Sequence, residues 1–176
     1  RNLQIETASW WGMDFGGNKI FNGTNLGINT KFKNYWGLAL YINREGQNLD
    51  RSELRGGASL LRPGRIESFA NVTTSDRKKL MFTLGYNGNR YDFDSQRNDN
   101  ISLEMNYRAN NALSISLTPA YSKMNNELQY IETIERDGVQ DTYILGSIDS
   151  KQFSAAIRLN FSLSPDMSIK YYGQPF

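Results

Sequence analysis

The chain has 176 residues, a formal net charge of +2 at neutral pH, and neither cysteine nor histidine. The lack of cysteine excludes disulfides, thiolate chemistry and cysteine-ligated metal, and the lack of histidine removes the commonest general base and metal ligand. Apolar residues make up 39% of the chain, and no apolar run reaches the about 20 residues that a transmembrane helix needs. Acids and bases are interspersed, so no nucleic-acid partner is predicted.

Much of the chain alternates between apolar and polar residues, which is the pattern of strands with one apolar and one polar face. Residues 153–163 show it most clearly: Phe153, Ile157 and Leu163 are among the apolar residues at odd positions, and the even positions are small or polar. Soluble strands usually have about 5–6 residues, whereas a tilted strand that crosses a bilayer has about 9–11. In chain order, the predicted strands are 2–12, 20–32, 35–44, 65–74, 79–92, 99–108, 112–122, 128–136, 139–147, 152–163 and 167–174.

The connections between these strands alternate in length. Turn-forming residues predict tight turns at 33–34, 75–77, 110–111 and 164–166, and longer links are predicted at 13–19, 45–64 and 93–98. Alternate connections of an antiparallel meander emerge at the same end, so one end should carry short turns and the other longer loops, as in outer-membrane barrels. Residues 123–151 fit this alternation less well.

The two patterns together predict an all-β fold, an antiparallel transmembrane β-barrel of which about eleven strands are visible. We interpret residues 1–176 as a single β-barrel domain. Bacterial single-chain barrels have an even number of strands, so the odd number indicates either a count that is wrong by one or an excerpt of a longer chain that forms part of a larger barrel. The alternative is a soluble β-sandwich, in which the aromatic residues would fill a core.

A barrel would turn the polar face of each strand towards its lumen. One interpretation of the charges there is a ladder that selects ions, and the favoured alternative is a set of interior pairs that satisfy the polar interior. The lumen-facing candidates are Glu104, Arg108, Arg158, Asn160 and Lys170.

The long link between residues 45 and 64 is rich in arginine and glycine. Its proposed loop cluster comprises Arg55, Gly56, Gly57 and Arg62, and acidic residues lie close by in the sequence. The functional interpretation is an anion or glycan contact at a constriction in the barrel. The structural interpretation is an ion-paired loop that plugs and braces the lumen, and the near balance of acids and bases favours it.

The sequence predicts no catalytic residue, no cofactor and no metal site, and hence no enzyme activity in this segment. Hydrolytic chemistry would need two carboxylates about 5–10 Å apart. The nearest pairs are Asp92 with Asp94, predicted on one strand face, and Glu132 with Glu135. Residues 92–95 also lack the spaced oxygen ligands and the glycine of an EF-hand calcium loop.

Several short segments carry a resemblance through their order and spacing. They are 55–64 (RGGASLLRPG), 74–78 (TSDRK), 128–131 (LQYI), 143–146 (YILG), 158–161 (RLNF) and 172–176 (YGQPF). In that order they resemble a family of Gram-negative outer-membrane proteins of unknown function. That family joins an N-terminal carbohydrate-binding-like sandwich to a C-terminal β-barrel, and this chain resembles part of the barrel.

The resemblance implies a location in the cell outer membrane and supplies no established activity. The partners it implies are outer-membrane lipid and lipopolysaccharide, and glycans or other outer-membrane proteins. The leading hypothesis is a barrel that serves as a membrane anchor, channel or docking element at the cell surface. A second hypothesis is the membrane anchor of a carbohydrate-binding or carbohydrate-active enzyme module outside this segment, and a third is a soluble all-β binding domain.

Overall fold

The computed structural model describes residues 2–17, 19–50, 52–55, 58–135, 138 and 141–176. The described chain consists of β-strands, connections and one short 3₁₀ turn at Asp92–Asp94. Among these residues, no helix has the length and hydropathy to cross a membrane. The strands are β1 (Asn2–Met13), β2 (Lys19–Lys31), β3 (Gly37–Glu45), β4 (Asn48–Asp50), β5 (Leu60–Arg62), β6 (Arg65–Thr73), β7 (Leu80–Tyr91), β8 (Gln96–Arg108), β9 (Leu113–Ile134), β10 (Thr142–Ser164) and β11 (Met167–Gly173).

In the described part of the chain, nine strands form one sheet in the order β1-β2-β3-β6-β7-β8-β9-β10-β11. Every neighbouring pair is antiparallel, so the sheet is a meander in which chain neighbours are also sheet neighbours. The short strands β4 and β5 form a separate hairpin within the connection from β3 to β6. The prediction of an all-β antiparallel fold is confirmed. No ladder between described residues joins β1 to β11, so the sheet has two open edges.

The predicted number and ends of the strands need correction. The predicted strands 112–122 and 128–136 are one strand, β9, and 139–147 and 152–163 are one strand, β10. The polar residues between them suggested turns, but their backbone groups pair across the β9–β10 ladder. Two register shifts in this ladder, near Leu145 and Gly146, account for the broken alternation of the sequence.

The predicted difference in length between the connections at the two ends of the sheet is found only in part: 46–64 is long, whereas 14–18 and 92–95 are as short as the turns at the opposite end. One end, which we call the short-turn end, carries the connections 32–36, 74–79, 109–112 and 165–166. The opposite end, the loop end, carries 14–18, 46–64, 92–95 and 135–141. Short polar side chains set the tight turns: the Asn110 Oδ1 accepts the backbone N–H groups of Ala112 and Leu113, each at 2.8 Å.

The register separates the side chains into two faces, because directly paired residues lie on the same side of a sheet. We call one side the apolar face. Its paired residues continue from strand to strand: Val72 opposes Leu84, and Leu84 opposes Leu103. Representative members are Ile5, Ile28, Leu40, Val72, Leu84, Leu103, Leu117, Ile157 and Ile169. We call the other side the polar face, and it includes Asn29, Asn43, Glu67, Asn87, Asn100, Asn106, Ser116 and Arg158.

No second layer covers the apolar face in the described part of the chain. Leu84 is 51% exposed, Ile42 is 54% exposed and Phe153 is 64% exposed. Leu54, in the connection between β3 and β6, is the one apolar residue among those described that is buried. The described part of the sheet therefore has no hydrophobic core of its own, and its apolar surface is uncovered.

Candidate functional site

Charged side chains gather on the polar face at the loop end of β3, β6 and β7. The register brings Arg65 between Glu45 and Tyr91. Its Nε lies 2.9 Å from the Glu45 Oε2, its Nη2 lies 3.1 Å from the Glu67 Oε1, and its Nη1 donates to the Tyr91 hydroxyl at 3.1 Å. One guanidinium therefore holds two carboxylates from two strands. We call the members of this group and its loop partners the loop-end cluster: Glu45, Asp50, Glu53, Arg62, Arg65, Glu67 and Tyr91.

The β4–β5 hairpin adds a second ion-paired arginine to this cluster. The Arg62 Nη1 lies 3.3 Å from the Asp50 Oδ2 and 3.4 Å from the Glu53 Oε2. The guanidinium carbons of Arg62 and Arg65 lie 5.8 and 5.9 Å from the centre of the Tyr91 ring, within cation–π range. Hydrogen bonds from the backbone N–H and hydroxyl of Ser52 lower the pKa of the Asp50 carboxyl, so Asp50 stays charged beside Arg62.

The same connection extends across the polar face to β9 and β10. The Arg55 guanidinium lies 5.3 Å from the centre of the Tyr130 ring, and the backbone N–H of Ala58 donates to the Tyr143 hydroxyl at 3.3 Å. Because β7 and β8 lie between β6 and β9 in the sheet, the described residues 52–55 and 58–62 bridge the loop end. Gly56 and Gly57 of the predicted cluster lie outside the described residues.

The charge balance of the loop-end cluster bears on its two interpretations. Four carboxylates (Glu45, Asp50, Glu53 and Glu67) face two guanidiniums, and the salt bridges join every one of them to an opposite charge. An anion entering this site would meet more negative than positive charge. The arrangement therefore favours an ion-paired brace over an anion site, and the role of the cluster in selectivity stays a prediction.

The lumen-facing candidates all lie on the polar face, towards the short-turn end. In one row across the sheet Arg108 opposes Ser114, Ser114 opposes Asn160, and Asn160 opposes Lys170. In the next row Arg158 opposes Tyr172, with its guanidinium 5.2 Å from the ring centre.

Contacts of these candidates are hydrogen bonds rather than salt bridges. The Glu104 Oε1 accepts a hydrogen bond from the Asn106 Nδ2 at 2.8 Å, and the Asn160 Nδ2 donates to the Ser114 Oγ at 3.5 Å. No salt bridge joins them to any residue that the structure describes. The register thus groups them on one face, and their position in a lumen stays a prediction.

The predicted carboxylate pair Asp92 and Asp94 does not share a strand face. Both lie in the 3₁₀ turn that follows β7, and Asp94 has a positive φ of 52°. Both carboxylate oxygens of Asp92 are occupied by Arg44, whose Nη1 and Nη2 lie 2.8 and 2.7 Å away. Glu132 lies in β9, whereas Glu135 follows the end of that strand. Over the described residues, no group of three or more His, Cys, Asp or Glu side chains could hold a metal ion.

Sequence reasoning did not find the bidentate pair of Arg44 and Asp92, because 48 positions separate the two residues. In the sequence, Gly64 was the one indication that the connections around Arg44 and Asp92 come close together. A Cβ at Gly64 would lie 2.7 Å from the Asp92 Oδ2 and 2.8 Å from the Glu45 carbonyl oxygen. The carbonyl oxygen of Gly64 also accepts a hydrogen bond from the Asp92 N–H. The glycine next to Pro63 is therefore required by a close approach of two connections at the loop end.

The Arg44–Asp92 pair predicts acid sensitivity of the connection after β7. The hydrogen bonds from Arg44 lower the pKa of Asp92, so the pair stabilises the turn at neutral pH and is lost as the pH falls through that lowered pKa. Phe93 is 84% exposed in this turn and is a suitable pepsin site. As the pH falls, we expect the rate of pepsin cleavage at Phe93 in the wild type to approach the rate in the Asp92→Asn variant. A constant ratio between the cleavage rates of the two proteins from pH 4 to pH 2 would contradict this expectation.

The comparison with protein families gives one match. Residues 13–174 match the family model described as a domain of unknown function, DUF5916. The chain belongs to the DUF5916 family. No curated protein and no solved structure matches the chain. Membership of DUF5916 thus covers nearly the whole sheet, from the end of β1 to the end of β11, and its description assigns no activity.

Proposed function

We propose that this DUF5916 chain forms part of the wall of an outer-membrane β-barrel that serves as a membrane anchor, channel or docking element at the cell surface. The observation that carries the proposal is the polarity of the sheet. Its apolar face is uncovered, while its polar face holds the loop-end cluster and the connection of residues 46–64. A soluble sandwich would instead place the apolar face against a second layer.

The height of the apolar face agrees with a bilayer. On β10 its apolar residues extend from Phe153 to Leu163. About ten steps of about 3.3 Å give a length of about 33 Å along the strand. A strand tilt of about 40° reduces this to about 25 Å, the height of the lipid-facing band of outer-membrane barrels.

Aromatic side chains lie in two rows of this band, one at its Phe153 end and one at the level of Leu159 on β10. Near the loop end, Tyr86, Tyr121 and Phe153 lie in one row of the apolar face. At the short-turn end, Tyr107 and Tyr171 share another row with Leu80 and Ile115. Tyrosine prefers the membrane–water interface because it has an apolar ring and a polar hydroxyl. Two such rows support a membrane orientation with the strands crossing the bilayer.

Lipid also constrains the edges of the sheet. β1 and β11 each have one side without a partner strand among the described residues. Unpaired backbone groups cost several kcal/mol each in the hydrocarbon region, so closure of the wall is required there. We therefore include further strands, outside the nine described, in the proposed barrel.

Membrane extraction and gel migration test the proposal. We expect the full-length protein to fractionate with the outer membrane and to need detergent for extraction. A folded barrel should migrate faster on a gel before boiling than after it, because it retains its compact form in detergent. Full solubility without detergent, with one migration rate in both samples, would contradict the membrane location and favour a soluble all-β domain.

A further inference from the structure

Four cations lie on the apolar-face side of the sheet, just beyond the aromatic row at the loop end. Arg90 directly opposes Arg97 across β7 and β8, and Lys123 directly opposes Lys151 across β9 and β10. Like charges that face each other across two strands destabilise a sheet. Both pairs are therefore costly unless an anion lies between or above them. We call these four residues the basic rim.

Asp99 supplies a negative charge among them, and Arg90, Arg97 and Tyr86 already contact its carboxylate. The Arg97 Nε lies 2.5 Å from the Asp99 Oδ2, and the Tyr86 hydroxyl donates to the Asp99 Oδ1 at 2.7 Å. The Asp99 side chain is 17% exposed, so these partners leave little room for another. Lys123 opposes Asp99 in the register, yet neither Lys123 nor Lys151 makes a salt bridge with any residue that the structure describes.

The basic rim lies directly above the proposed lipid-facing band. In neighbouring rows of the same face, Lys123 and Lys151 are followed by Tyr121 and Phe153. Lysine stems extend along apolar surface and place the ammonium group at headgroup level. The other half of the loop end lacks this feature, because Arg44 on β3 is bound by Asp92.

We propose that the basic rim binds the phosphate groups of an anionic glycolipid headgroup in the outer leaflet. The inference rests on the membrane location proposed above, since the loop end of such barrels faces outwards. The four cations span β7 to β10 and outnumber the carboxylates in their two rows, which are Asp99 and Asp149. Asp99 already lies between Arg90 and Arg97, so a bound phosphate would relieve the repulsion between Lys123 and Lys151 and would accept hydrogen bonds from both.

Binding of diphosphorylated lipid A to the detergent-solubilised full-length protein tests this site. The double variant Lys123→Gln/Lys151→Gln should bind about tenfold more weakly or worse, because two charged hydrogen-bond donors are lost. The matched control is Lys78→Gln/Lys79→Gln, which removes two exposed lysines from the connection at the short-turn end. We expect the control to bind within about twofold of the wild type.

Two further ligands distinguish a lipid-borne phosphate from free inorganic phosphate. Dephosphorylated lipid A should lose most of its affinity for the wild type, and inorganic phosphate alone should compete weakly. Equal binding of the dephosphorylated lipid, competition by inorganic phosphate at equal concentration, or an unchanged double variant would overturn the inference. These outcomes would not contradict the membrane proposal if the protein still requires detergent. Full solubility without detergent would contradict both the membrane location and the phosphate site.

Discussion

Replacement of Leu84 by lysine should destabilise the folded protein in a bilayer by about 2–4 kcal/mol. Leu84 lies between Val72 and Leu103 near the middle of the apolar face, and 51% of its surface is exposed. If that surface meets lipid, a lysine there must lose its hydration or distort the bilayer. Urea unfolding of protein folded into vesicles, followed by tryptophan fluorescence, measures the free-energy change.

Two matched variants make the measurement decisive. Asn87→Lys places the same charge at an exposed position of the polar face, where we expect a change within about 0.5 kcal/mol. Ile66→Lys places it on the apolar-face side but in the row of Arg90, near the loop end, where the cost should be about 0–1 kcal/mol. Equal effects at all three positions would mean that the apolar face does not meet lipid.

Alternation in the sequence was sufficient to predict the all-β fold and the two faces of its most regular strands. It is strong from Leu80 to Arg108 because each apolar residue on the apolar face of β7 has an apolar neighbour in β8. The pattern fails in β9 and β10, where the register shifts move side chains from one face to the other. Such a shift depends on the partner strand, so one strand's sequence does not reveal it.

The candidate site shows the same limit. The sequence correctly brought attention to Arg62, because the arginine-rich link is unusual on composition alone. It did not reveal that Arg62 and Arg65 share Tyr91, since that contact depends on how the β4–β5 hairpin packs against β7. Nor did it separate Glu67 from the other acids, although Arg65 holds it directly. Charge partners far apart in the chain are set by strand register and loop placement, which composition does not encode.

Removal of the Arg65 side chain should be the most damaging single change in the loop-end cluster. The side chains of Arg65, Glu45 and Glu67 are 31%, 23% and 35% exposed, so their charges are only partly screened by water. Loss of one partner of a fully buried pair costs about 3–5 kcal/mol. For these half-buried groups we expect Arg65→Ala to lower the free energy of unfolding by about 1–3 kcal/mol.

Repulsion between the two remaining carboxylates distinguishes this cost from a simple loss of packing. The double variant Arg65→Ala/Glu67→Gln should recover part of the stability that Arg65→Ala loses, because one of the two like charges is removed. Arg90→Ala is the control, because Arg90 is 59% exposed and lies 3.9 Å from Asp99, and its effect should stay within about 0.5 kcal/mol. If Arg65→Ala matched this control, with no rescue by Glu67→Gln, the loop-end cluster would not brace the connection between β3 and β6.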